Sequence, residues 1–315
     1  MILSKSFELP NSLRQVMKDA KKLEWITLAY MLSVIVIMFL VMGSSQAMKT
    51  AWLEDALSTL PAIAFLVATK IYDKPATKKY PYGYHKVFGI SFLTGSVALF
   101  GMGSYLAIDS IISLLEKNRP TIGTIVIFKH TIWMGWIMIL ALIYSALPAM
   151  WLGYKKLPLA KKLHNKILHT DATTQKADYM TAFAAIVGIL GIGIGLWWMD
   201  AAAAIFISVS VIKDGFSNLK SAIADLMERR PQDVNNEEPD PLIQEISDKV
   251  SAWPWVKDVR VRFREHGQVY FGEIYIIPKT LENAENLLTA GKKEIESYHW
   301  KIFDVTLTLV KKIET

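Results

Sequence analysis

The chain contains no cysteine among its 315 residues, which excludes disulfides and thiolate metal sites and leaves the compartment open. Its six histidines, His85, His130, His164, His169, His266 and His299, form no pair at metal-ligand spacing and read as surface residues. Internal repeats and low-complexity tracts are absent. The opening MILSKSFELPNSLRQVMKDAKKLEW has neither the apolar core nor the small-residue cleavage site of a signal peptide, so the first apolar run is expected to stay in the mature chain. A net charge of +6 and a pI near 9.2 raise the question of nucleic acid. The basic residues, however, lie in short segments between apolar runs instead of on one recognition element, which argues against that partner. No nucleophile or substrate-binding motif accompanies the acids, so an enzyme working through a membrane-embedded dyad of Asp55 and Asp178 finds little support.

What the chain does have is apolar sequence. It is 52% hydrophobic, with a mean hydropathy of +0.27, more than soluble domains carry. A spanning helix needs about 20 apolar residues. Six runs qualify: Trp25 to Ser44, Thr50 to Ile71, Gly89 to Leu115, Thr124 to Leu152, Thr173 to Trp198 and Met199 to Phe216. Lys5, Arg14, Lys18, Lys21 and Lys22 precede the first, Lys70, Lys74, Lys78, Lys79 and Lys86 follow the second, and Lys155, Lys156, Lys161, Lys162 and Lys166 follow the fourth. The other side carries Lys49, Lys117, Arg119 and Lys129. The positive-inside rule then places both termini in the cytoplasm, with a tight turn at Trp197 to Asp200 joining the last two spans on the far side. After Arg230 the acidic, proline-bracketed PQDVNNEEPDP reads as a linker. Beyond it, a helix over Leu242 to Trp253, strands over Val256 to Phe263 and Val269 to Ile277, a helix over Leu281 to Tyr298 and a strand over Phe303 to Val310 predict a small αββαβ sandwich. The divisions expected are 1–22 (cytoplasmic segment), 23–230 (membrane domain), 231–240 (linker) and 241–315 (cytosolic domain).

Two polar stripes run into these spans. At 100° per residue, Asp171, Thr174, Gln175 and Asp178 share one helix face, and Asp55, Ser58, Thr59 and Ala62 share another. A carboxylate at membrane depth costs roughly 2.5 to 3.5 kcal/mol on the mildest scale, so it faces a cavity or a partner and marks an ion path. The structural alternative is that Asp55 and Asp178 sit at interfaces or pair with Lys49 and Lys176. Glu54 reads as a headgroup-level residue, Asp109 as an accessory or proton-handling candidate, and Lys176 as a residue pointing away from the Asp178 face.

The segments MGSSQAMKTAWLEDALSTL, KPATKKYPYGYHKVFGISFLTGSV, LHTDATTQKADYMTAFAAIVG, WWMDAAAAI and VKDVRVRFREHGQVYFGEIYIIPKTL, closing with FDVTLTLV, together resemble the cation diffusion facilitators over almost the whole chain. That resemblance implies a homodimeric divalent-cation/proton antiporter, with six spans and a cytosolic ferredoxin-like domain, in a prokaryotic plasma membrane. It also implies a transport site in spans two and five at Asp55, Thr59, Thr174 and Asp178; the polar stripes add Asp171 and Ser58, and the third span Asp109, as accessory positions. No tightly bound cofactor is implied, the metal being the cargo.

The departures from the family pattern are chemical. Two of the four ligand positions are hydroxyls, Tyr80 and Tyr84 stand where the loop after span two often carries histidine, and Lys257, Tyr275 and Thr308 replace histidines in the cytosolic domain. Two aspartates still balance one divalent cation. All-oxygen coordination suits Mg, Mn or Fe(II) better than Zn, and metal and protons compete for the same oxygens. A non-transporting relative, acting as partner of a competent subunit, is the other reading left open.

Overall fold

Runs of apolar residues that cannot bond backbone to solvent bond it internally, and here they fold as long helices. In the computed structural model these are α1 (Asn11–Val41), α2 (Gln46–Leu57), α3 (Thr59–Tyr72) and α4 (Val87–Leu115), then a hairpin of β1 (Thr124–Ile127) and β2 (His130–Trp133), then α5 (Met134–Leu163), α6 (Lys166–Gly193) and α7 (Trp198–Leu226). The structure describes residues 9–312 except 73, 118, 128, 129, 236, 237 and 281 and the side chains of 127, 176 and 177. The expectations for Lys5, Lys129 and the Lys176 side chain, and the helix start at Leu281, lie outside the described residues.

Among the described residues, five helical stretches are long and apolar enough to cross a membrane: Asn11–Val41, Gln46–Tyr72, Val87–Leu115, Met134–Leu163 and Lys166–Gly193. They present Leu32, Phe39, Leu40, Leu140, Trp151 and Phe183 outward, large apolar groups that water would not tolerate together. Helix α7 is as long, at 29 residues, but Asp200, Lys213, Asp214, Lys220 and Asp225 interrupt it, and it is not among the five.

Three expectations shift. The fourth apolar run does not begin as helix at Thr124: the β-branched TIVI and HTIW pair antiparallel, Thr124 opposite Trp133, and the helix starts at Met134. The second run is broken at Ser58, because Pro61 has no N–H to give the Leu57 carbonyl and the ladder slips there. The last reversal falls at Ile194 to Trp197, with Asp200 already in the first turn of α7. Helices α4 and α7 pack backbone to backbone at Gly215, where an added Cβ would lie 2.5 Å from the Phe100 nitrogen.

The C-terminal part contains α8 (Leu242–Ser251), β3 (Val256–His266), β4 (Val269–Pro278), α9 (Ala284–Tyr298) and β5 (Ile302–Leu309). Strand β4 lies between β3, antiparallel to it, and β5, parallel to it. Ile243, Ile246, Val250, Phe263, Ile274, Ile295 and Val305 make its core. The acidic connection is folded as well: Gln232 pairs with Pro239, and buried Asp240 accepts from Tyr270 Oη at 2.6 Å and Lys301 Nζ at 2.6 Å.

The β3–β4 turn docks on the helical part. Gly267, at φ +71°, leaves no room for a Cβ against the His85 carbonyl, 2.6 Å away. Gln268 Nε2 donates to the Leu163 carbonyl at 2.8 Å, Tyr270 Oη meets His164 Nε2 at 2.9 Å, and Lys166 Nζ bonds both Asp225 and Glu265 at 2.9 Å. His85 packs on Tyr72, Phe271 and Phe303. His85, His164 and His266 are therefore buried, contrary to the surface reading, because the two parts close over them. Burial lowers His85 to about 4, His164 to about 3 and His266 to about 4, and raises Glu265 to about 7.

Candidate functional site

The break at Ser58 sits between two of the expected ligands. Asp55 occupies the last turn of α2 and is buried; Ser58 caps that helix, its hydroxyl donating to the Glu54 carbonyl at 3.0 Å; half-buried Thr59 opens α3 and donates to the Ala56 carbonyl at 2.7 Å. The face carrying Asp55, Ser58, Thr59 and Ala62 runs across that break, with Asp55, Ser58 and Ala62 turned inward and Thr59 half-buried. Asp55 Oδ2 accepts from Ser145 Oγ of α5 at 2.7 Å.

Helix α5 supplies more than that serine. Pro148 cannot donate to the Tyr144 carbonyl one turn back, and the hydroxyl of Tyr30 in α1 fills the gap, donating to the carbonyls of Tyr144 at 2.7 Å and Ser145 at 2.5 Å. Tyr30 lies within electrostatic reach of both Asp55 and Asp178. Neither Tyr30 nor Ser145 stands out in the sequence, because both belong to apolar runs. The signal that points to them is the proline at position 148.

Asp178, on α6, is buried, interacts electrostatically with Asp55, and has an Oδ2 with no hydrogen-bond partner. Thr174, one turn away, is half-buried. Glu54, read as a headgroup-level residue, is half-buried beside the Thr181 hydroxyl and within reach of Asp55 and Asp178. Among the described residues no three His, Cys, Asp or Glu side chains converge at metal-ligand distance; Asp55 and Asp178 stand on different helices, with Glu54 within electrostatic reach of both.

Two of the accessory candidates, Asp109 and Asp171, fall elsewhere. Asp109 pairs with Lys49 at 2.9 Å near the surface, which accounts for it and removes Lys49 as a partner for Asp55. Asp171 is pinned by Lys156 at 2.5 Å, and Lys156 also bonds Glu24 of α1 at 2.9 Å, with all three side chains buried. Lys156 is thus not a solvated positive-inside lysine: its two carboxylate partners take it into the helix packing. Asp200, expected in a turn, is fully buried and accepts from Ser45 Oγ at 2.6 Å and from the Gln46 and Ala47 amides, tying the start of α7 to the N-terminus of α2.

Long apolar helices carrying buried carboxylates, joined to a small mixed-sheet domain, point to a membrane transporter for a positively charged cargo. The chain belongs to the cation efflux family, whose transmembrane domain matches residues 25–227. It is similar to the manganese efflux system protein MneP of Bacillus subtilis, at 25% identity over 247 residues, 73% of this chain and 74% of that protein. It is also similar to the magnetosome protein MamM of Paramagnetospirillum magneticum, 25% over 270 residues, 82% of this chain and 79% of that one. The metal cation efflux system protein CzcD of Cupriavidus metallidurans is 23% identical over 282 residues, 85% of this chain and 80% of that one. Members of this family are transporters and not enzymes.

Proposed function

We propose that the protein exports a divalent cation in exchange for protons, with Asp55 and Asp178 as its two anionic ligands and Thr59 and Thr174 as weak neutral ones. The observation that carries this reading is a pair of buried carboxylates, on α2 and α6, that interact electrostatically, one with an oxygen that no protein group satisfies. Two formal charges balance one dication, and protons bind the same oxygens when it leaves. Oxygen donors favour a hard ion of the manganese class over zinc, in keeping with the relative named for manganese.

The wider frame belongs to the same proposal. We read α7 as a sixth span, because it packs along α4 and α6 and its stretch from Ala201 to Ile212 carries no charge. An even number of spans leaves both termini in the cytoplasm of a bacterial plasma membrane. The αββαβ order supports a ferredoxin-like domain over 241–315 that joins a homodimer without metal. Tyr275 and Thr308 are register partners there, yet the Tyr275 hydroxyl donates to Glu273 at 2.8 Å and Lys257 offers no ligand. The other reading, a transport-silent partner subunit, draws on the two hydroxyls, Thr59 and Thr174, that stand at two of the four ligand positions.

Proteoliposome flux of Mn, Zn, Fe, Co and Mg under an imposed pH gradient separates these readings. Asp55→Asn and Asp178→Asn should each abolish flux, Thr174→Val should weaken it, and Thr174→His should shift preference toward zinc by adding a nitrogen donor. Undiminished flux in both asparagine variants would mean that the acids serve structure, and wild-type protein inert to every ion would favour the partner-subunit reading.

A further inference from the structure

The ion-paired group at the C-terminal-domain end of α6 has no part in the site above. Glu24 (α1), Lys156 (α5) and Asp171 (α6) come from three helices, and all are buried. One ammonium faces two carboxylates, with Lys156 Nζ 2.9 Å from Glu24 Oε2 and 2.5 Å from Asp171 Oδ2. Gln175 extends the group by one turn, its Nε2 donating to Asp171 Oδ1 at 3.2 Å. Three further buried oxygens, Glu24 Oε1, Thr27 Oγ1 and Gln175 Oε1, have no hydrogen-bond partner, and the next acid along the same face of α6 is Asp178 with its own unpartnered Oδ2. Over seven residues at 1.5 Å each, Asp171 and Asp178 stand about 10 Å apart along the helix.

This arrangement is rich in acceptors and poor in donors. A purely structural ion pair would leave one charge of each sign and satisfied oxygens, since an unpaired buried oxygen is costly. Here two acids share one ammonium, and unpartnered oxygens remain beside them on α1 and on the Asp171–Asp178 face of α6. A divalent ion would satisfy the two acids better than one ammonium does, because it neutralises both carboxylates and takes several oxygens at once.

We propose that Glu24 and Asp171 form a second divalent-cation station about two turns from Asp178, held in the resting protein by the tethered ammonium of Lys156. A dication approaching from the C-terminal-domain side exchanges with that ammonium before it reaches Asp178. Lys156 stays protonated throughout and swings aside, so that it returns as the cation leaves and keeps the station from trapping cargo. The proposal rests on the reading of Asp55 and Asp178 as the transport pair, and the experiment distinguishes the two.

Purified full-length protein in detergent is titrated with Mn²⁺ by calorimetry, alongside proteoliposome flux. Wild type should bind one equivalent, Lys156→Met should bind two, and Lys156→Met with Asp171→Asn should return to one. Lys156→Met should also lower KM at least tenfold and reduce maximal flux, a split that a merely structural lysine would not produce. Where the methionine variant is not monodisperse, Lys156→Gln, which keeps a donor for both acids, is judged by the same criteria. A folded variant that gains no equivalent, or whose KM is unchanged, overturns the station. If Asp178→Asn keeps its equivalent and its flux, the transport-pair reading fails, while Asp178→Asn with Lys156→Met still reports on Glu24 and Asp171 through the equivalent it gains.

Discussion

Lowering the pH from about 6.5 to about 4.5 should release the C-terminal domain from the helices, because the contact between them buries His85, His164 and His266 in neutral form. Burial is the main cause for each, and it leaves His85 and His266 at about 4 and His164 at about 3. The neighbours Lys301 and Lys166 add to it at His164, and Lys86 and Arg264 at His266. A depressed folded value means that the stabilisation is present above the ordinary histidine value of 6.5 and is lost as pH falls through the folded value. Glu265 works the other way. Raised to about 7 by burial, its contribution is complete below its ordinary value of 4.5 and fades as pH rises through 7, so acidification strengthens the contact through this one group. A tenfold change in proton affinity is about 1.4 kcal/mol, so by about pH 4.5 each histidine loses roughly 2 to 3 kcal/mol and Glu265 returns roughly 3. The net loss is on the order of 4 kcal/mol, about a thousandfold in the docking equilibrium. The native chain has no cysteine, so dyes on cysteines placed at the exposed positions Lys161 and Lys257 report the separation directly by energy transfer. His85→Phe, which keeps an aromatic ring against Phe271 and Phe303, should move the midpoint to lower pH. Transfer that is unchanged down to about pH 4.5, with the helices intact by circular dichroism, would refute the argument.

Gly215→Ala would place a methyl against the Phe100 backbone, which cannot step aside as a side chain can. The expected cost is about 1 to 3 kcal/mol, read as a lower thermal midpoint in detergent. Asp200→Ala strands the Ser45 hydroxyl and two α2 amides in a buried position. It should cost about 1 to 3 kcal/mol, and Ser45→Ala less, as the same melts would show. Cysteines at Lys79 and Lys161, both exposed, should resist impermeant thiol reagents added outside intact cells, and ready labelling there would reverse the orientation.

Features that depend on neighbours in the chain were legible before the fold. Apolar runs of spanning length, the αββαβ order after Pro241 and the helical spacing of Asp171, Thr174 and Asp178 all follow from local periodicity, which secondary structure obeys directly. Pro61 and Pro148 each remove a backbone donor, but that Tyr30 of α1 fills the gap before Pro148 was set by the packing of α1 on α5. What the tertiary structure alone decided is which polar groups are buried and with whom. Lys156 looks like any cytoplasmic lysine, yet Glu24, from a helix that begins at Asn11, and Asp171 draw it out of water. His85 and His266 read as loop residues until the β3–β4 turn closes over the helices. Asp171 and Asp178 share one face of one helix, and periodicity alone treats them alike. The cation opposite Asp171 is carried on another helix, and Asp178 interacts with a second acid, so packing, not spacing, separates the carboxylate paired with Lys156 from the one that keeps an unpartnered oxygen.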